Sequence, residues 1–275
     1  MKIRCIALDL DQTTLDGDGR LSPANRAALE HAISQGIHIV IASGRPYAAL
    51  PEDVLSVQGI EYAITSNGAA VYHLPTGHCL HRCTLTPVSV EEVLSRTAGL
   101  PLAYEVFIDG RGYAQADYVR TPERFGACGR AADYVRRTRQ AVEDIISFIR
   151  TNRGKLDSLD LVTDDQDLRQ RLREEILCEV DELYITTSMR YLLELSNHLC
   201  GKHAGVQFVA DRLGLSPEQL AAFGDGDNDA DMLSYVGEGI AMANASPLCL
   251  AAARHITLDH RHDGVAYGIR TILGI

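Results

Sequence analysis

The sequence lacks the features that mark several special classes of protein. No apolar run approaches the ~20 residues of a membrane-spanning helix, and the N-terminus has no signal-peptide pattern. Basic residues are in deficit, at 26 Lys+Arg against 37 Asp+Glu, a net charge of −11. We therefore expect a cytoplasmic globular protein that binds neither a membrane nor a nucleic acid, because a phosphate backbone attracts basic surfaces.

A disulfide framework is also absent. The seven cysteines are odd in number and scattered along 275 residues, so we interpret them as reduced thiols. The run from His78 to Cys83 contains four possible zinc ligands, but no second pair with zinc-site spacing follows it. An ordinary strand with polar and thiol side chains is the favoured interpretation of that run.

Apolar strands alternate with helices in both terminal parts of the chain. We predict strands at residues 3–8, 37–42, 62–65, 220–223, 239–242 and 255–258. Near-continuous apolar strands separated by helices indicate a parallel sheet covered on both faces. Residues 84–190 break the pattern, with a hairpin at Asp109-Gly110, helices at 140–151 and 166–177, and strands at 159–163 and 182–187. We predict an α/β core from residues 1–83 and 191–275, with 84–190 as an inserted α+β domain.

The inserted domain is rich in arginine between residues 120 and 139. The simpler interpretation is a solvated helix face with its flanking loop, because long charged side chains are usually exposed. The alternative is a positive rim that attracts an anionic substrate.

Two acidic clusters follow predicted strands. Asp9 and Asp11 end the first strand, and ligands of open α/β sheets bind beyond the carboxyl ends of strands. Close carboxylates repel, so the pair needs a shared proton or a cation such as Mg²⁺, which takes carboxylate oxygens. The second cluster, Gly224 to Asp229, follows a short apolar strand, and Asp225 can complete the cation site.

The second cluster has two other interpretations. Asp and Asn also cap helices without any metal, and this reading is credible for either cluster alone. A calcium loop is rejected, because Ala230 stands where the turn glycine is needed and Val236 where the bidentate glutamate belongs.

Two further elements suit phosphate. Ser43-Gly44 ends the second strand and can offer a hydroxyl and a backbone N–H to a phosphate oxygen. Lys202 precedes a helix and can neutralise a phosphoryl group. Each signal is weak alone, since Ser-Gly is a common turn and most lysines lie at the surface.

In this order, the four elements resemble the haloacid dehalogenase-like phosphohydrolases along essentially the whole chain. The family's DxDxT motif is matched by Asp9, Asp11 and Thr13, and its later motifs by Ser43, Lys202, Gly224, Asp225, Asn228 and Asp229. The segments 66–69 and 241–245 are similar to the Cof-type subfamily. The resemblance implies a Rossmann-like hydrolase core with an inserted α+β cap domain of the C2 type, which closes over the site and chooses the substrate.

The resemblance also implies roles for individual residues. Asp9 would be the nucleophile and Asp11 the general acid and base. Mg²⁺ would be held by the Asp9 side chain, the Asp11 backbone carbonyl and Asp225, with Asp229 as a further metal residue. The phosphoryl group would be bound by Leu10, Ser43, Gly44, Lys202 and Asn228, and candidates for substrate specificity are Arg45, Asn67 and Gly68.

Three positions depart from the family pattern. Gln12 replaces the usual glycine and could crowd the turn or reach the leaving group. Thr14 replaces a usual leucine, and His203 follows Lys202 where glycine is usual.

The resemblance implies hydrolysis of phosphomonoesters of small phosphorylated metabolites by a monomer or weak homodimer. Sugar phosphates are the first expectation, and pyridoxal phosphate or flavin mononucleotide the next. A phosphomutase that uses the same nucleophile stays open as an alternative. A phosphometabolite sensor is disfavoured, because a sensor has no use for an acid/base beside a nucleophile.

Overall fold

The computed structural model describes residues 2–275, which divide into two compact units. The first contains residues 2–45, 50–81 and 201–275, and the second contains residues 46–49 and 82–200. No helix within residues 2–275 has the length and apolar character needed to cross a membrane.

The chain forms fourteen strands and eleven α-helices in the described part. The strands are β1 (Cys5–Leu8), β2 (His38–Ala42), β3 (Ile60–Thr65), β4 (Ala70–His73), β5 (His78–Arg82), β6 (Ala103–Ile108), β7 (Arg111–Gln115), β8 (Arg139–Val142), β9 (Leu156–Val162), β10 (Leu183–Thr186), β11 (Leu192–Asn197), β12 (Leu220–Gly224), β13 (Glu238–Ala241) and β14 (His255–Ile256). The helices are α1 (Pro23–Ser34), α2 (Glu52–Leu55), α3 (Pro87–Thr97), α4 (Ala116–Arg120), α5 (Arg130–Thr138), α6 (Ile145–Asn152), α7 (Gln166–Glu179), α8 (Lys202–Leu213), α9 (Ala230–Tyr235), α10 (Pro247–Ala252) and α11 (Gly264–Tyr267).

The first unit is built on an eight-stranded sheet in the order β14-β13-β12-β1-β2-β3-β4-β5. The pairs from β14 to β3 are parallel, and β4 runs antiparallel to β3. On one face, Cys5 and Ala7 of β1 pack in a core cluster with Val206 and Val209 of α8. On the other side, α1 contacts β2 and α11. The predicted parallel sheet with helical cover is confirmed.

The second unit is a six-stranded sheet in the order β10-β11-β9-β6-β7-β8. All its pairs are antiparallel except β7 with β8. One face packs against α3, α6 and α7 through Val106, Leu159 and Leu193. A smaller cluster on the other face includes Tyr118 and Tyr191. This mixture of antiparallel strands and helices has the α+β character predicted for the insertion.

Two local predictions are corrected by the structure. The second boundary falls near residue 200 instead of 190, because β11 pairs with β9 and β10 and so belongs to the second sheet. The helix predicted at 140–151 starts only at Ile145, since residues 139–142 pair with β7 as a strand.

Three of the six arginines between residues 120 and 139 pair with carboxylates. Arg120 pairs with Asp117 and Arg136 with Glu123, both at exposed positions. Arg139 is different, because its side chain is only 6% exposed and its Nη2 lies 2.6 Å from Glu105 Oε1. The solvated-face interpretation therefore does not hold for Arg139, and its charge is already matched by a buried partner.

Candidate active site

The candidate site lies at the carboxyl edge of the first sheet, where three neighbouring strands end. Asp9 follows β1, Ser43 follows β2 and Asp225 follows β12. Because β1 pairs in parallel register with both β2 and β12, these three residues reach the same edge. The local reason for each position is the same: an apolar strand buries its side chains and the first polar residue marks its end.

Lys202 is the cation that pairs with the clustered carboxylates at this edge. It is the first residue of α8, and its side chain is fully buried. Its Nζ donates hydrogen bonds to Asp9 Oδ1 and to Asp229 Oδ1, both at 2.6 Å. Burial alone would lower the pKa of this lysine, but the two carboxylates outweigh burial and raise its pKa. Lys202 is therefore held as an ammonium ion.

Three carboxylates cluster near Lys202, and two of them, Asp9 and Asp229, are hydrogen-bonded to it. Ligand oxygens of Asp9, Asp225 and Asp229 lie within 4.8 Å of one another. Three ionised carboxylates against one ammonium leave two uncompensated negative charges. Burial and the neighbouring carboxylates accordingly raise the pKa of Asp9 to about 7 and that of Asp225 to about 9.

A divalent cation fits this donor set. Its two charges would balance the excess, and hard cations prefer carboxylate oxygens. Oδ1 of Asp9 and of Asp225 each accept a hydrogen bond, whereas their Oδ2 atoms accept none within residues 2–275. Both carboxylate oxygens of Asp229 accept hydrogen bonds, since its Oδ2 accepts from the backbone N–H groups of Asp225 and Gly226 at 2.9 Å. Asp9 and Asp225 are thus the better placed direct ligands, with Asp229 as their support.

The turn after β1 carries the second candidate catalytic carboxylate. Asp11 forms a two-pronged ion pair with Arg45, with Nε–Oδ2 at 2.8 Å and Nη2–Oδ1 at 2.6 Å. Further along the turn, Thr13 donates to Asp225 Oδ1 at 2.7 Å and Thr14 donates to the Asp9 carbonyl at 2.5 Å. The two threonines therefore tie the turn to both acidic clusters.

The phosphate-binding candidates surround the same edge. Ser43 is buried, and its hydroxyl accepts from the Arg45 backbone N–H at 3.2 Å. Leu10 is fully buried directly after Asp9, and Gly44 is partly exposed directly after Ser43. Asn228 lies in the second acidic cluster and is only 4% exposed.

A second turn, at residues 66–68 directly after β3, is hydrogen-bonded to residues of the site. Asn67 adopts a left-handed conformation at φ 52°, and its Oδ1 accepts from Asn228 Nδ2 at 2.9 Å. The carbonyl of Asn67 accepts from the Gly201 backbone N–H at 2.9 Å, one residue before Lys202. A Cβ on Gly68 would lie 2.1 Å from the Gly201 carbonyl oxygen, so the close approach requires glycine there.

The structure therefore brings most predicted site residues together and adds contacts that sequence reasoning missed. Asp9, Lys202, Asp225 and Asp229 are directly linked, whereas the side chain of Asp11 is engaged by Arg45 outside that cluster. Sequence reasoning assigned no partner to Thr13 and did not foresee that Asn67 holds Asn228. The only available signals were the motif position of Thr13 and the Ser-Asn-Gly turn after β3.

Comparison with known proteins places this site in a family. The family model for haloacid dehalogenase-like hydrolases matches residues 6–269, so the chain belongs to that family. A 5-amino-6-(5-phospho-D-ribitylamino)uracil phosphatase of Bacillus subtilis is 27% identical over 268 residues, covering 98% of this chain and 95% of the relative. An HMP-PP phosphatase of Klebsiella pneumoniae is 28% identical over 267 residues, covering 95% and 92%.

Solved structures support the fold. A haloacid dehalogenase-like hydrolase from Bacillus subtilis aligns with a TM-score of 0.84 at 24% identity, covering 98% of this chain and 100% of that one. The family and fold class predicted from the sequence are confirmed. The chain is an enzyme of this hydrolase family, in the phosphatase class to which both relatives belong.

Proposed function

We propose that this enzyme is a Mg²⁺-dependent phosphomonoester hydrolase that works through an aspartyl-phosphate intermediate on Asp9. The observation that carries the proposal is the buried pairing of Asp9 with Lys202 at 2.6 Å. A nucleophilic carboxylate must be ionised, and the ammonium group opposes the rise in the pKa of Asp9 that burial causes. The same ammonium offers positive charge to an incoming phosphoryl group.

In the first step, a carboxylate oxygen of Asp9 attacks phosphorus and the bond from phosphorus to the ester oxygen breaks. Asp11 donates a proton to the leaving alkoxide. In the second step, water attacks the phosphorus of the aspartyl phosphate while Asp11 takes up a proton, which releases inorganic phosphate and restores Asp9. The two-pronged contact with Arg45 orients the Asp11 carboxylate, the form that receives a proton from the attacking water.

The phosphoryl oxygens are bound by groups at the carboxyl edge. Ser43, Gly44 and the N–H of Leu10 supply hydrogen bonds, together with Lys202 at the start of α8 and Asn228 of the second acidic cluster. Mg²⁺ would be held by Asp9, Asp225 and the backbone carbonyl of Asp11, with Asp229 behind them. A bound Mg²⁺ supplies positive charge that lets a carboxylate approach an anionic phosphate ester.

The proposed substrates are small phosphorylated metabolites, with sugar phosphates first and pyridoxal phosphate or flavin mononucleotide next. The substrate for which the Bacillus relative is named carries its phosphate on a ribityl chain, which agrees with a polyhydroxylated leaving group. The Klebsiella relative is named for a different substrate, HMP-PP, so the panel must include a pyrophosphate. A cytoplasmic location and a monomer or weak homodimer stay predictions.

The decisive experiment is phosphate release from a panel of phosphorylated metabolites, with Mg²⁺ and with chelator, for the wild type and for Asp9→Asn. The amide of the variant cannot attack phosphorus, so release should need both the metal and Asp9. Asp167→Asn, at an exposed aspartate of α7 in the second unit, is the matched control because it makes the same change of charge. Phosphate release by Asp9→Asn at the wild-type rate would contradict the proposal. Transfer of phosphate to a second hydroxyl, without release, would favour the phosphomutase.

A further inference from the structure

Gln12 occupies a backbone conformation that does not suit it. Its φ of 60° and ψ of 11° lie in the left-handed region, which disfavours residues that carry a Cβ. The family resemblance places glycine here, the residue that adopts this conformation without strain. A longer side chain therefore persists at a position where glycine would give a more stable turn.

The side chain of Gln12 does not compensate for this strain. The side chain of Gln12 is exposed, and its amide has no hydrogen-bond partner within residues 2–275. The backbone is secured by a different residue, since Asn244 Nδ2 donates to the Gln12 carbonyl at 3.0 Å. Asn244 Oδ1 in turn accepts from the His260 backbone N–H at 3.1 Å. The turn is thus pinned through the main chain, and the carboxamide contributes nothing visible to folding.

Backbone strain that no contact of the residue's side chain offsets is characteristic of functional sites. Gln12 directly follows Asp11, the residue that serves the leaving oxygen under the proposed function. Its carboxamide is uncharged and carries both donor and acceptor atoms. Arg45, which pairs with Asp11 in this turn, is a cation whose charge is already matched. The chemistry beside the leaving oxygen therefore suits neutral hydroxyl groups better than a second anion.

We propose that Gln12 is a specificity-determining residue whose carboxamide hydrogen-bonds a hydroxyl of the leaving group. The inference rests on the proposed function and narrows its substrate class to phosphate monoesters of polyhydroxylated alcohols. Each such ester presents hydroxyls within a few bonds of the ester oxygen, whereas a simple alkyl phosphate presents none.

A matched pair of substrates tests the proposal: glycerol 3-phosphate and n-propyl phosphate, which differ by two hydroxyl groups. We expect the wild type to prefer glycerol 3-phosphate in kcat/KM, mainly through KM. Gln12→Gly should reduce that preference about fivefold to tenfold, the loss expected for one hydrogen bond. Gln12→Leu keeps a similar size but removes both hydrogen-bonding atoms of the side chain, and it should also reduce the preference. Glu182→Gly is the control, because Glu182 is exposed at φ 63° in the second unit, and it should keep the wild-type ratio.

The failures of the two proposals are distinguishable. If the wild type hydrolyses both esters without preference, or if Gln12→Gly keeps the wild-type ratio, the role of Gln12 is refuted and the phosphatase stands. If Asp9→Asn still hydrolyses both esters, the proposed function itself fails. An equal loss on both esters in Gln12→Gly would show that the residue only shapes the turn beside Asp11, which also refutes a role in specificity.

Discussion

Replacing Lys202 by methionine should destabilise the first unit severely, because it removes the one cation among three clustered carboxylates. The Lys202 side chain is fully buried, and those of Asp9 and Asp229 are 7% and 1% exposed. Methionine fills a similar volume, so the loss of charge dominates the effect. Removing one partner of a buried ion pair costs about 3–5 kcal/mol.

A limit on this cost follows from protonation. Without its lysine, the buried Asp9 carboxylate can be neutralised by binding a proton. Protonation costs ~1.4 kcal/mol of folding free energy for each pH unit above the unfolded pKa of Asp9, near 3.9. This cost is about 5–6 kcal/mol at pH 8 and about 2 kcal/mol at pH 5.5. Because burial already raises the pKa of Asp9 to about 7 in the wild type, the folded variant should hold the extra proton at pH 5.5. The destabilisation should therefore be large at pH 8 and shrink as the pH falls.

The assay is urea unfolding in the presence of chelator, followed by far-UV circular dichroism, because the chain has no tryptophan. Lys202→Met is compared at pH 8 and pH 5.5 with Lys155→Met, whose lysine is exposed. Adding Asp229→Asn to Lys202→Met should recover part of the lost free energy at pH 8, since it removes one of the repelling carboxylates. A loss below about 1 kcal/mol at pH 8, or an equal loss at both pH values, would refute this electrostatic reasoning.

Three further predictions concern pH, backbone and metal. Asp157 is buried, which raises its pKa to about 6, so the folded state holds its proton more tightly than the unfolded state and stability falls as the pH rises from about 4 to 6. Asp157→Asn should therefore be more stable than the wild type at pH 7.5, by up to about 3 kcal/mol, and equal to it at pH 4 in urea titrations. Gly68→Ala should lower the urea midpoint more than Gly214→Ala, because both glycines have positive φ but only Gly68 faces a backbone oxygen, at 2.1 Å; equal effects would contradict the close approach. Mg²⁺ at 100 times its Kd should stabilise the wild type by about 2.7 kcal/mol in thermal unfolding, and Asp225→Asn should lose most of that shift; an unchanged shift would locate the cation elsewhere.

The second unit also contains a cluster of buried carboxylates. Glu105, Asp160 and Glu194 are nearly fully buried and lie opposite one another on β6, β9 and β11. Burial, followed by the charges of Glu194 and Glu105, raises the pKa of Asp160. Sequence reasoning predicted the strand at 159–163 and the hairpin that contains β6, but it assigned no strand at β11 and no role to these carboxylates. A single acidic residue in a strand carries no local sign of burial.

Much of the carboxyl edge was predictable because its signals are local. Asp9, Ser43 and Asp225 each follow a short apolar strand, and a polar residue after such a strand marks the end of the sheet whatever the rest of the chain does. The alternation of strands and helices likewise predicted a parallel core. The boundary near residue 200 was not predictable, because β11 has the same apolar pattern as a core strand and only its partners distinguish the two sheets.

The sequence by itself determined which residues could do chemistry and roughly where each lies in the fold. Only the tertiary structure decided which of these charged side chains form ion pairs. Lys202 meets Asp9 across 193 positions of sequence and Asp229 across 27, and no pattern of neighbours records such a contact. The conformation of Gln12 was decided in the same way, because its turn is held by Asn244, 232 residues further along the chain. Long-range packing selects these pairs, since a buried charge is tolerated only where a distant part of the chain supplies its partner.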